Sequence, residues 1–224
     1  MSAYKENLIK LIATSGVLMI GDFTTKSGRQ SPYFINSGKY QTGKQAELVS
    51  EYYAGLINDK LKGSFDVLFG PAYKGIPLCT LTAAALYRLY GCDVGYSFNR
   101  KEVKNHGDGG MFVGCQPKDG DRYLIIEDVI SAGTSVREVY PLLKETADVS
   151  ITDMVISVDR MEIGVHGITA AQELKNEFGI TVHPLVTVRE IIEFLHNRPV
   201  DGKVYINDHV REKMENYLKR YCIQ

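Results

Sequence analysis

An α/β fold with a mostly parallel central sheet flanked by helices is the architecture this sequence predicts, on three observations. From residue 66 onward, short apolar runs alternate with helical patterns, the signature of repeated βα units. The run at 123–126 is apolar without alternation, as expected of a strand buried on both faces in a parallel sheet. Small-residue turns follow two of the runs, at 70–77 and 131–135, and open α/β sheets bind ligands outside the carboxyl ends of their strands.

Residues 3–14 read as an amphipathic helix ended by Ser15 and Gly16. Residues 17–25 look extended, Lys26, Ser27, Gly28 and Arg29 make a basic turn, and Tyr33, Phe34 and Ile35 form a second short strand. This antiparallel hairpin lies outside the βα alternation and is placed to cover a sheet edge and close one side of a pocket. Residues 44–61 are a strong helix, with Leu48, Val49, Tyr52, Tyr53, Leu56 and Ile57 on one face. A strand at 66–69 then runs into Gly70-Pro71-Ala72-Tyr73-Lys74-Gly75-Ile76-Pro77 and an alanine-rich helix to about Tyr90. Backbone N–H groups exposed in such a turn, with a lysine in its middle, suit a pyrophosphate.

After a strand at 94–98 come Arg100, Lys101, Lys104 and His106, then the glycine cluster 107–110. A charge run of this kind is commonly a solvated loop. Beside two anion-binding turns it reads instead as a glycine-hinged lid over an anionic ligand. The helix after Ser135 contains Pro141 and must lack one hydrogen bond there. Residues 153–158 form a strand ending in Asp159-Arg160-Met161-Glu162, and the planar fork of Arg160 is the best side chain for reading a carboxylate. Capping boxes at Thr169/Gln172 and Thr187/Glu190 start two helices, with a strand at 181–186 between them. A last amphipathic helix starts near Asp208.

The chemistry concentrates after residue 126. Glu127 and Asp128 stand at the end of the buried run and can accept hydrogen bonds from a sugar diol. Ser131, Ala132, Gly133, Thr134 and Ser135 then form a hydroxyl-rich turn whose backbone N–H groups, hydroxyls and following helix can wrap a phosphate. Phosphate at one end and vicinal hydroxyls at the other describe a ribose 5-phosphate. Neither a Walker loop nor a dinucleotide glycine pattern is present.

The formal net charge of −1 argues against nucleic-acid or membrane-surface partners. Cys79, Cys92, Cys115 and Cys222 are scattered without a Cys-x-x-Cys, which suits buried reduced thiols. The start lacks a signal-peptide layout and no apolar run is long enough to span a bilayer, so a cytoplasmic protein is expected.

From Lys26 to Glu162, five motifs in order resemble those of the type I phosphoribosyltransferases, and of their orotate-specific members in particular. They are Lys-Ser-Gly-Arg-x-Ser-Pro-Tyr-Phe, Pro-Ala-Tyr-Lys-Gly-Ile-Pro, Arg-Lys-x-x-Lys-x-His-Gly, the acidic pair with its turn, and Asp-Arg-x-Glu. The family usually has two acids, often both Asp, where this chain has Glu127; a second hood aromatic is replaced by Ile35. The resemblance implies one phosphoribosyltransferase domain over 1–224, with about 1–40 contributing a hood over the base pocket. It implies transfer of the 5-phosphoribosyl group of phosphoribosyl pyrophosphate (PRPP) to orotate, a step of pyrimidine biosynthesis. PRPP would be bound by Lys26, Tyr73, Lys74, Arg100, Lys101, Lys104, His106, Glu127, Asp128, Val129, Ile130 and the 131–135 turn. Orotate would be bound by Lys26, Phe34, Ile35, Ser131 and Arg160. Lys104 and Asp128 would be catalytic. Mg2+ would be held mainly by PRPP, and the lid would cross to the partner in a homodimer with shared sites. A purine-type transferase and a PRPP-binding regulator are the alternatives.

Overall fold

A computed structural model describes the chain apart from Lys26, Ser27, residues 105–109, Ser131, Ala132, Val165 and Gln224, and describes Val103 and Lys104 by their backbone alone. Helix α1 (Ala3–Thr14) buries Leu8, Ile9, Ile12 and Ala13 along one side. The hairpin β1 (Leu18–Thr24) and β2 (Gln30–Ile35) pairs antiparallel as a separate two-stranded sheet. A 3-10 turn, Ser37–Lys39, leads from it toward helix α2 (Gly43–Lys60), which a Thr42/Gln45 capping box starts.

The alternation then runs β3 (Val67–Phe69), α3 (Gly75–Tyr90), β4 (Gly95–Lys104), β5 (Gly110–Gly114), β6 (Arg122–Ile130), α4 (Thr134–Thr146), β7 (Ser150–Asp159), α5 (Ala170–Phe178), β8 (Thr181–Thr187) and α6 (Val188–Leu195). A short hairpin, β9 (Pro199–Val200) with β10 (Lys203–Val204), precedes the last helix α7 (Asp208–Tyr221). The six-stranded sheet has the order β5-β4-β3-β6-β7-β8, with β4/β5 antiparallel and the other neighbours parallel.

Both sheet faces are covered, which is why β6 is apolar without alternation. Leu124 and Ile126 pack in the cluster built with α1, α2, α3, α6 and α7; Tyr123 and Ile125 pack with α4 and α5 on the other face. Strand alternation carries Asp128 onto the face of Leu124 and Ile126, beside α2 and the hairpin. Both expected capping boxes are present, and Gly179 closes α5 in the left-handed region at φ 74°.

Two boundaries differ from expectation. β6 continues through Glu127 and Asp128 to Ile130, because β7 goes on pairing with it as far as Ile130↔Asp159. β4 runs to Lys104 where a loop is expected after residue 98, because β5 pairs back along it to Lys104↔Gly110. The first part of the expected lid is therefore strand. Cys115 is exposed, so buried thiols describe only Cys79 and Cys222 fully. Among the described residues no helix is long and apolar enough to cross a membrane.

Candidate active site

The acidic strand, the Gly-Pro turn and the exit of the hairpin meet at one carboxylate. Asp128 is 5% exposed. Its Oδ2 accepts from Ser37 Oγ at 2.5 Å and from Lys74 Nζ at 3.0 Å, and its Oδ1 accepts from the Val129 N–H at 2.8 Å. Lys74 stands just before α3, in the turn expected to face pyrophosphate, and its side chain is 52% exposed. The turn is tight: a Cβ on Gly70 would lie 2.2 Å from Gly75 O, so glycine is required where strand end and helix start touch. Asn99 of β4 anchors it, accepting the Ala72 N–H at 3.0 Å. Tyr73, in the same turn, is 71% exposed and presented to solvent.

Glu127 is also buried, with its backbone carbonyl accepting from Tyr53 Oη of α2 at 2.6 Å. Burial first, then the negative Asp128 and the hydrogen bond with it, push Glu127 from its ordinary 4.5 up to about 8. Burial pushes Asp128 up too. Hydrogen bonds from Ser37, Lys74 and Glu127, with the charge of Lys74, outweigh it and leave Asp128 below its ordinary value. The environment thus pushes the two carboxyls apart, Glu127 toward its neutral form and Asp128 toward its charged one.

Beyond the pair, Val129 is half-buried and Ile130 buried. Gly133 adopts φ 65° before α4, and a Cβ there would meet Leu174 at 3.1 Å. Thr134 is exposed and Ser135 half-buried at the start of α4. Arg100 is half-buried on β4, and Lys101 reaches Glu138 of α4 at 3.1 Å. Lys26, His106, Ser131, Ala132 and the side chain of Lys104 lie outside the described residues.

In the hairpin, Phe34 is 38% exposed and packs on Phe23 with ring centroids 5.6 Å apart. Tyr33 and Ile35 are buried in the core. The Ile35 side chain therefore lies on the opposite side of the strand from Phe34, because successive residues of a strand alternate. Arg160 follows β7 and is 6% exposed. Its Nε and Nη2 donate to Glu162 Oε1 at 2.8 and 2.5 Å, and its guanidinium lies 4.6 Å from the Tyr33 ring centroid. Tyr217 of α7 donates to the same Glu162 oxygen at 2.7 Å. Part of the fork expected for a ligand carboxylate is thus matched to a protein one.

Sequence reading missed Ser37, Asn99, Tyr53, Phe23 and Tyr217. Asn99 stood next to the cationic run and Tyr53 on a predicted buried face. Nothing in the order of residues pairs Ser37 with Asp128, which are 91 positions apart.

The phosphoribosyl transferase domain family matches residues 37–181 of the chain. A Clostridium beijerinckii protein named orotate phosphoribosyltransferase is 47% identical over 221 residues, 99% of each chain. One of the same name from Agathobacter rectalis is 46% identical over 223 residues, again 99% of each. The crystal structure of orotate phosphoribosyltransferase from Francisella tularensis superposes with a TM-score of 0.81 at 35% identity, covering 97% of this chain and 100% of that one. Leishmania donovani adenine phosphoribosyltransferase gives a TM-score of 0.55 at 14% identity over 80% of this chain and 79% of that one, a likeness of fold alone.

The proton on Glu127 makes stability depend on pH. A raised carboxyl contributes stability that is full below its unfolded value and is lost as pH rises through the folded one, here between the ordinary 4.5 and about 8. Asp128, lowered, contributes in the opposite sense, losing stability only as pH falls below its ordinary 3.8. Urea unfolding is expected to show a loss on the order of a few kcal/mol from about pH 5 to about pH 8. Glu127→Gln should flatten that slope; an unchanged slope in the variant would place the proton elsewhere.

Proposed function

The chain belongs to the phosphoribosyl transferase family, and we infer that it is an orotate phosphoribosyltransferase, joining orotate to the 5-phosphoribosyl group of PRPP with release of pyrophosphate. The observation that carries the site assignment is the junction at Asp128. It brings the lysine of the pyrophosphate turn, the carboxylate of the sugar strand and the exit of the hood within hydrogen-bond distance.

The reaction breaks the bond from the anomeric carbon to pyrophosphate and forms one to a ring nitrogen of orotate, through an oxocarbenium-like state. Negative charge grows on the departing oxygens, so the site must supply fixed positive charge there. Lys74, Arg100, Lys101, Lys104 and His106 take that role, with Tyr73 alongside. Asp128 and Glu127 hold the ribose hydroxyls, and Asp128 also takes the orotate proton. The backbone from Val129 to Ser135 wraps the 5′-phosphate. Phe34, backed by Phe23, stacks on the orotate ring, with Lys26 and Ser131 at its edge. Arg160, oriented by Glu162 and Tyr33, presents its remaining edge to the orotate carboxylate.

The hard carboxylate oxygen of Asp128 beside the lysine of the pyrophosphate turn suits a Mg2+ ion that would be carried mainly by PRPP. Bound there, the ion would supply further positive charge to the pyrophosphate. The working unit is a cytoplasmic homodimer in which the lid of each subunit completes its partner's pocket.

Arg160→Lys should raise the KM for orotate far more than that for PRPP, a loss on the order of 1–3 kcal/mol for an unmade charged hydrogen bond. Equal losses for both substrates would make Arg160 a structural ion-pair partner of Glu162 only.

Sharing of the site is tested by mixing two defective proteins, Lys104→Ala and Asp128→Asn. Random pairing puts half of the dimers in the mixed state, with one of two pockets whole, so co-refolding should restore about a quarter of wild-type activity. No recovery, once subunit exchange is confirmed, removes the shared-site arrangement.

A further inference from the structure

One contact ties the hood to the sugar strand through a residue outside every motif of the sequence. Ser37 opens the 3-10 turn after β2, three positions beyond Phe34, and Asn36 fixes that turn by accepting the Gly38 N–H at 3.1 Å. The Ser37 hydroxyl donates to Asp128 Oδ2 at 2.5 Å. Three further ionisable groups face this carboxylate. Glu127 is its neighbour on β6, Lys74 donates to the same oxygen at 3.0 Å, and Tyr53 comes from α2. Lys74 is half-exposed, so its ammonium can turn toward an anionic ligand. Tyr53 gives its hydroxyl to the backbone of Glu127. When Lys74 leaves, Ser37 is the side chain on the hood side that still holds Oδ2.

We propose that Ser37 is a positioning residue: its hydroxyl fixes the orientation of Asp128 and keeps it ionised once Lys74 engages pyrophosphate, thereby linking the base-covering hood to the ribose carboxylate. The assignment rests on Asp128 facing the ribose. Its physical basis is that a buried carboxylate retains its charge only with hydrogen bonds to spare. Against burial, the Ser37 hydrogen bond is the largest single influence drawing Asp128 below its ordinary value, followed by the charge and the hydrogen bond of Lys74.

The test compares Ser37→Ala with Ser37→Thr in two measurements on the full chain. The first is the carboxyl titration of 13C-labelled Asp128 without ligand, assigned by its loss in Asp128→Asn. The second is the pH dependence of kcat and KM for PRPP and for orotate. In Ser37→Ala, Asp128 should titrate at higher pH, and kcat/KM for PRPP should fall about tenfold, the effect of losing one hydrogen bond to a charged group. The KM for orotate should stay unchanged, the acid limb of the profile should move up with the titration, and Ser37→Thr should restore both. The titration reads Ser37 whether or not the protein turns orotate over, so an inactive wild type counts against the reaction and not against this contact. An unmoved titration with unchanged PRPP kinetics in Ser37→Ala overturns the proposal. So does a Ser37→Thr variant as impaired as Ser37→Ala. If Ser37→Ala fails to fold, Ser37→Cys, of similar size but a weak donor, is read in the same way.

Discussion

A carboxylate taken out of water must find its compensation in the protein, and at Asp128 that requirement brings the working parts together. Four partners converge on it: Ser37 and Lys74 from distant parts of the chain, and the Val129 N–H and Glu127 from its own strand. A buried ion left without partners is strongly destabilising, so the contacts that remain matter most when the half-exposed Lys74 turns away. Placing two acids side by side in a buried strand also forces the proton onto one of them. On the proposed assignment, the strand would meet a neutral diol with a single negative charge, beside a highly anionic ligand.

A second buried node supports the hood. Glu162 takes hydrogen bonds from Arg160 and Tyr217, with Arg29 of the hairpin 3.8 Å away, and Arg29 Nη2 also donates to Ile163 O at 2.7 Å. The ring of Tyr33 lies under Arg160 and edge-on to Tyr217, with centroids 5.8 Å apart. The C-terminal helix thus fixes the strand-end arginine and the hairpin together. The hairpin is anchored near its turn through Arg29 and Glu162, and at its exit through Ser37 and Asp128.

Much of this was legible in the residues. The βα alternation, the capping boxes and the unbroken apolar run at 123–126 gave the sheet and its buried strand, because periodicity reports burial directly. The same residues left strand ends open, since β6 and β4 continue wherever a neighbour still pairs with them, and pairing is not local. Lys74 and Asp128 were legible as candidate ligand groups from their turns. Their contact with each other was not, nor was the Ser37 contact, because long-range hydrogen bonds leave no spacing in a sequence. The burial of Ile35 beside an exposed Phe34 was legible too, since strand alternation sends neighbouring side chains to opposite sides.

The central claim is that this junction transfers phosphoribose to a carboxylated pyrimidine. Pyrophosphate release from PRPP and Mg2+, measured with orotate, uracil, adenine and hypoxanthine in turn, addresses it most directly. The structure predicts rapid release with orotate and little with the other three. Release with a purine and not with orotate would contradict the base assignment, and PRPP binding without release for any base would make the protein a sensor of PRPP in place of an enzyme.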